Sequence, residues 1–217
     1  MLQTDEIDSA RLGLRRRLTI WMPPGPRHAG RPLPVLYLND GQNLFDPERA
    51  FAGRTWRVAE AAAPLVRTGR IPPLLIVGID HGEARRAREY LPVEDAANPA
   101  SRPPLGREYA GFVTRELLPF VARRYGAGRG ASHTGFGGSS YGAVAALYTA
   151  LREPGVFGRL LLESPSLYVG GRLLLRRAAA ARRWPSRIYL GVGTRETGRS
   201  QVDRDTVDNV LTLDALL

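Results

Sequence analysis

Short apolar runs of strand length alternate along this chain with stretches in which apolar residues recur every three or four positions. Pro34-Val35-Leu36-Tyr37-Leu38 and Leu74-Leu75-Ile76-Val77-Gly78-Ile79 are continuous apolar runs, the pattern of strands buried on both faces. Arg159 to Glu163 and Ile188 to Val192 read as two shorter strands, and the run beginning at His133 as another. Ile7 to Leu12 and Arg17 to Met22 read as a further pair separated by Gly13, with Pro23-Pro24-Gly25-Pro26 closing the second. Val58, Ala61, Ala62 and Leu65 predict a helix over Arg57 to Gly69. Tyr109, Phe112, Leu117, Phe120 and Val121 predict one over Glu108 to Tyr125. Leu173 to Arg183 reads as a basic helix, and Asp203 to Leu217 as the start of a helix that the chain does not complete.

Three stretches read as connections. Arg27 to Pro34 is a polar, proline-bounded loop, and Asp46 to Ala52 is a loop or a turn of helix. Glu83 to Arg107 is rich in charge and proline and too long for a plain connection, so a functional loop over the sheet is expected. Strands alternating with helices argue for a mainly parallel sheet with helices on both faces. In such a sheet the ligand site lies off the carboxyl ends of the strands. Those ends here are Asp40-Gly41-Gln42, Asp80-His81, Ser140, Ser164-Pro165-Ser166 and Thr194-Arg195-Glu196. So polar a set fits one shared site.

The most specific stretch is His133 to Tyr148, in which an apolar run tightens into Gly138-Ser139-Ser140-Tyr141-Gly142 and continues as an alanine-rich helical pattern. Gly138-x-Ser140-x-Gly142 between a strand and a helix fits a nucleophile elbow, a sharp turn that lifts one serine above the sheet. A Cβ at either flanking glycine would clash with the neighbouring strand or helix.

Composition narrows the picture. At 217 residues the chain is read as a single domain. The absence of cysteine excludes disulfides and thiolate metal sites, and neither a metal nor a cofactor is expected. The apolar runs are too short to span a membrane, and Met1-Leu2-Gln3-Thr4-Asp5-Glu6 has no signal-peptide pattern, so a cytoplasmic protein is expected. The net charge is +10, and all 31 basic residues are arginine. Such a charge suits a nucleic-acid or anionic-surface binder. A codon bias towards solvated surface arginines explains it better, because the arginines form short groups in different elements without a nucleic-acid module. No nucleic-acid or membrane partner is expected.

Taken together, the motifs resemble the putative-esterase family of α/β-hydrolases, which includes esterase D-like enzymes, enterochelin-type and feruloyl esterases, and mycolyltransferases. The matching pieces are Leu36 to Phe45, Val77-Gly78-Ile79, Arg88-Glu89-Tyr90-Leu91-Pro92, Gly138 to Gly142, Glu163-Ser164-Pro165-Ser166 and Gly193-Thr194-Arg195-Glu196, in the family's order. The resemblance implies an α/β-hydrolase fold and a serine carboxylic-ester hydrolase acting on a small-molecule ester through a Ser140 acyl-enzyme. It implies an oxyanion hole from the backbone N–H groups of Gln42 and Tyr141. It implies Glu196, preferred to nearby Asp203, as the acid that orients a histidine. Asp40, His81 and Ser164 are expected to line the substrate site, and Arg85, Arg86 and Arg88 hint at an acidic substrate.

One feature of the family is missing from this sequence. Its catalytic histidine lies after a further strand, and the only histidines here are His28, His81 and His133. His28 falls in the early proline-rich loop, where it is expected to be solvent-exposed. His133 starts the strand that ends at Ser140, and seven extended residues place it ~20 Å from the hydroxyl. His81 follows a strand ending on the correct side, where it reads as a loop histidine near the substrate rather than the base. The expectation is a domain without its final strand and helix, from a truncated chain, a fragmentary gene or a frameshift. Activity should be impaired, and the strand Ile188 to Val192 should be an open edge that invites a homo-oligomer. The competing reading is a non-catalytic α/β-hydrolase-like protein that binds a ligand or partner in the same cleft.

Overall fold

The computed structural model describes residues 1–23 and 32–217. Its strands are β1 (Leu2–Ser9), β2 (Leu14–Trp21), β3 (Val35–Asn39), β4 (Leu75–Ile79), β5 (Thr134–Ser139), β6 (Arg159–Glu163) and β7 (Arg187–Gly191). They form one sheet in the order β1-β2-β4-β3-β5-β6-β7. The β1–β2 and β2–β4 pairs are antiparallel, and the rest of the sheet is parallel. The helices are α1 (Val58–Arg67), α2 (Arg86–Tyr90), α3 (Gly106–Phe112), α4 (Leu118–Tyr125), α5 (Tyr141–Arg152), α6 (Val169–Ala179) and α7 (Ser200–Asp214).

The continuous apolar runs are explained by the two faces they serve. Successive side chains of a strand point to opposite faces. Val35 and Tyr37 of β3, with Leu75, Val77 and Ile79 of β4, enter the larger apolar cluster, which includes Tyr109, Phe112 and Val144 from the covering helices. Leu36, Leu38 and Ile76 enter a smaller cluster closed by Val58, Ala62 and Val66 of α1. Neither face meets water, so neither carries polar positions. The order of the sheet reverses at β3, with β4 on one side and β5 on the other, and ligand crevices form at such a point beyond the carboxyl ends.

Several boundaries differ from the sequence reading. β1 runs Leu2–Ser9 rather than Ile7 to Leu12, because its pairing with β2 is fixed by Gly13, whose φ of 65° closes the hairpin with a bond to the Ser9 carbonyl. Its outward Thr4 and Glu6 hide the strand from an apolar-run search. The Glu83 to Arg107 stretch contains α2 and is tied down by buried Tyr90, Leu91, Asp95 and Ser101. The helix expected from Glu108 to Tyr125 is broken by a π-helical turn at Val113–Leu117. Pro119, in the first turn of α4, has no N–H for the carbonyl four residues back, and a widened turn accommodates it. α6 starts at Val169, with Gly170, Gly171 and Arg172 at positive φ, and ends at Ala179 instead of Arg183. α7 runs Ser200–Asp214, starting before the expected Asp203, and the Ala215 N–H bonds to the Leu211 carbonyl. β7 lies at one edge of the sheet. His28 and most of the loop expected at Arg27 to Pro34 lie outside the described residues.

Candidate active site

Three non-glycine residues with positive φ sit at the carboxyl ends of three adjacent strands. Asp40 (φ 56°) follows β3, Ser140 (φ 56°) follows β5 and Ser164 (φ 45°) follows β6. Each costs strain that the surrounding structure must hold, and such residues gather at functional sites.

Ser140 turns the chain from β5 into α5 at φ 56°, ψ −123°. Its N–H donates to the Glu163 carbonyl at 3.0 Å, which pins the turn to the end of β6. A Cβ on Gly138 would lie 2.7 Å from the Gly142 carbonyl carbon, and one on Gly142 would lie 2.9 Å from Asp40 Oδ2. The first contact is with backbone and excludes a side chain at Gly138, and the second would push on the Asp40 carboxylate that Arg86 holds, which explains the flanking glycines. Asn39 buttresses the same turn: its Nδ2 donates to the Gly142 carbonyl at 2.7 Å and its Oδ1 accepts from the Tyr109 hydroxyl at 2.6 Å. Ser140 itself is half-buried, and its Oγ lies 3.2 Å from Ser166 Oγ.

The β3 end packs directly on this elbow. Asp40 opens a 3₁₀ turn, Gly41–Asn43, and a Cβ on Gly41 would lie 2.6 Å from the Gly78 backbone carbon of β4. Gln42 thus lies within one of two neighbouring strand-end turns, and Tyr141 directly follows the other. Among the described residues neither backbone N–H donates to a protein acceptor, which for Tyr141 follows from its place at a helix start. The Gln42 side chain is buried and its Oε1 accepts from the His81 N–H at 3.3 Å.

Around these turns runs a polar network that the sequence did not single out. Arg86 forks onto Asp40, with Nε to Oδ1 at 2.7 Å and Nη2 to Oδ2 at 2.9 Å, and lies over the rings of Tyr90 and Tyr141 at 5.3 and 5.7 Å. Burial works against the Arg86 charge, but the Asp40 carboxylate outweighs it and holds the guanidinium more firmly protonated than usual. The Tyr90 hydroxyl accepts from the Asp40 N–H at 3.1 Å. The Tyr141 hydroxyl donates to Asp95, and burial together with that carboxylate raises its pKa. Arg85 pairs with Glu89 at 3.1 Å, and Glu89 also takes Arg16 at 2.6 Å in a fully buried pair. The arginines at 85 and 86 therefore meet internal carboxylates, which removes them as evidence for an acidic substrate. The signal for this network was the Arg88-Glu89-Tyr90 motif, which places α2 but does not show which carboxylate each arginine meets.

Glu196 lies in the exposed loop after β7, where its Oε1 accepts from the Gly193 N–H at 2.6 Å and from the Ser164 hydroxyl. Ser164 thus faces Glu196, while Ser166, two residues on, faces Ser140. Asp203 is engaged elsewhere. Its Oδ1 accepts from the Thr197 N–H at 2.9 Å and hydroxyl at 2.8 Å, and these bonds hold its carboxyl below the usual range. Because the folded pKa is the lower one, this contribution is complete above the unfolded value of about 3.9 and fades as pH falls through the folded value. Asp203→Asn is expected to lower the melting temperature at pH 7, with the gap to wild type closing in acid. Thermal melts across pH read this directly, and a gap that persists unchanged in acid contradicts the charge assignment.

The histidines are placed as follows. His81 accepts the Glu83 N–H at Nδ1 (2.9 Å), so in the neutral ring the proton sits on Nε2 and no free lone pair remains for a hydroxyl proton. His133 precedes β5, at the sheet end away from Ser140, and its Nδ1 lies 2.9 Å from Ser132 Oγ. Among the described residues the side-chain partner of Ser140 is Ser166 and not an imidazole.

The family model described as "Putative esterase" matches residues 9–212. The chain belongs to the putative esterase family. An uncharacterized protein, YbbA from Bacillus subtilis (strain 168), is 23% identical over 190 residues, 86% of this chain and 71% of that one. The iron(III) enterobactin esterase of Dickeya dadantii (strain 3937) is 33% identical over 140 residues, 64% of this chain and 27% of that protein. The enterobactin esterase FES from Shigella flexneri, solved in the presence of enterobactin, superimposes with a TM-score of 0.76 at 25% identity. That match takes in 100% of this chain and 50% of the other, so the chain spans about half the length of that structure. The fold of this esterase-family member is of the α/β-hydrolase type. Among the described residues no helix is long and apolar enough to cross a membrane.

Proposed function

We propose that this chain carries the core of a serine carboxylic-ester hydrolase, in which Ser140 forms the acyl-enzyme. The observation that supports this reading is the strained Ser140 turn beside the Asp40 turn, with two unspent amides. In the reaction Ser140 Oγ attacks the ester carbonyl as an imidazole base takes its proton and then returns it to the leaving alcohol, while the Gln42 and Tyr141 N–H groups hold the developing oxyanion. The tetrahedral intermediate collapses, the protonated alcohol leaves, and water then releases the acid from Ser140. Glu196 is assigned the orientation of an imidazole at the Ser140 hydroxyl. None of the three histidines in these 217 residues is assigned that imidazole.

Enterobactin-type esters are the substrates to try first, since two of the relatives are named for enterobactin. The experiment is hydrolysis of p-nitrophenyl acetate and of enterobactin in imidazole buffer. Protein-dependent release of acid and alcohol, lost in Ser140→Ala, supports the reading. Turnover that survives Ser140→Ala overturns it. One observation favours a second reading, a ligand-binding protein without turnover: among the described residues the Ser140 hydroxyl meets only Ser166. Binding of an ester that is never cleaved, with imidazole present, would identify that case.

A further inference from the structure

At the amino end of the parallel strands, opposite Ser140, a cleft of about 220 Å³ opens between the sheet and its covering helix. Tyr37 of β3 forms its floor. Thr114 of the π-helical turn and Leu118 and Pro119 of α4 form one wall, and Arg129 and Gly130 form the rim. The wall stands where Pro119 has forced the widened turn, and such turns recur at functional sites.

Tyr37 is 1% exposed, yet among the described residues its hydroxyl has no hydrogen-bond partner, whereas a buried phenol normally finds one. The cleft is the space left to it. Arg129 is exposed and pairs with no carboxylate among the described residues. Its charge opposes the upward push that burial gives the Tyr37 phenol, so the two groups lie within electrostatic reach. The threonines are spent: Thr114 Oγ1 donates to the Ala110 carbonyl at 2.8 Å and Thr134 Oγ1 to the Gly130 carbonyl at 3.0 Å. The unspent polar side chains of the cleft among the described residues are therefore a phenol donor and a guanidinium, beside apolar Leu118 and Pro119. Among the described residues no acidic side chain lines it.

The geometry points to a binding site for a small carboxylate with an apolar body, its anionic end between Tyr37 and Arg129. This site is separate from Ser140 and does not rest on the esterase reading. A carboxylate fits better than a neutral ligand because the guanidinium meets no carboxylate among the described residues, and better than a bare inorganic anion because one wall is hydrocarbon.

The test is isothermal titration of the 217-residue chain with sodium benzoate at fixed ionic strength, with benzamide as the uncharged isostere. Saturable one-site binding of benzoate is expected. Arg129→Gln and Tyr37→Phe should each weaken it about tenfold or more, the loss expected of a charge-assisted hydrogen bond, and benzamide should bind far more weakly. Arg129 is exposed, so its variant folds and decides the matter if Tyr37→Phe does not. The proposal is overturned by no saturable benzoate binding, by equal binding of benzamide, or by undiminished binding in Arg129→Gln. The last result would place the carboxylate elsewhere, as in the Ser140 cleft.

Discussion

Without added base, the 217-residue chain is expected to turn over p-nitrophenyl acetate only slowly, and Ser140→Ala is expected to make it scarcely slower. A serine hydroxyl is inert at neutral pH until a base takes its proton. Loss of the triad histidine costs on the order of 10⁶ in kcat, and the remaining ~10³–10⁴ over water comes from the oxyanion hole and binding, which Ser140→Ala leaves in place. Imidazole in solution changes the comparison. It supplies the base, so wild type should gain a protein-dependent rate that Ser140→Ala lacks. The gain should rise with pH near neutrality, because only neutral imidazole accepts the proton. Initial rates against imidazole concentration and pH, with the protein-free rate subtracted, measure this. Fast turnover without imidazole would show that a base is already present, and a further loss in His81→Ala would identify it.

Gly138→Ala should destroy the site while leaving much of the fold. The new Cβ would stand 2.7 Å from the Gly142 carbonyl carbon and 3.0 Å from Asn39 Cβ, with backbone on one side and a hydrogen-bonded asparagine on the other. Overpacking of this kind costs about 1–3 kcal/mol, and relief requires the elbow to move away from the Asp40 turn. Gly126→Ala is the matched control. It carries φ 65° at the end of α4 with nothing within 4 Å of the added atom, so it costs about 1–2 kcal/mol of backbone strain alone. Both variants should melt lower than wild type. Only Gly138→Ala should lose the imidazole-dependent rate, and retention of that rate would show that the elbow tolerates a side chain at this position.

How much of this was legible in the sequence depends on whether the cause was local. The buried strands β3 and β4 were readable because both faces are apolar, and the elbow because its two glycines flank a serine at fixed spacing. β1 was misplaced because an edge strand paired on one side keeps polar residues such as Thr4 and Glu6. The π-helical turn was hidden because Pro119 sits within a pattern that otherwise has helical spacing. The Arg86–Asp40 fork joins residues 46 positions apart, and no local pattern announces which carboxylate an arginine will meet. The same holds for Ser166, placed beside Ser140 only by the adjacency of β5 and β6. Glu196 and Asp203 were competitors in sequence; the structure ties Asp203 to Thr197 and leaves Glu196 against Ser164.

The central claim is that Ser140 is the nucleophile, and covalent labelling tests it most directly. A fluorophosphonate reacts with an activated serine by forming an O–P bond and expelling fluoride, and mass spectrometry of the digested chain locates the adduct. The prediction is one phosphonyl group on Ser140, formed faster with imidazole present and absent in Ser140→Ala. An adduct on Ser164 or Ser166 instead, or none after prolonged exposure with imidazole, would contradict it.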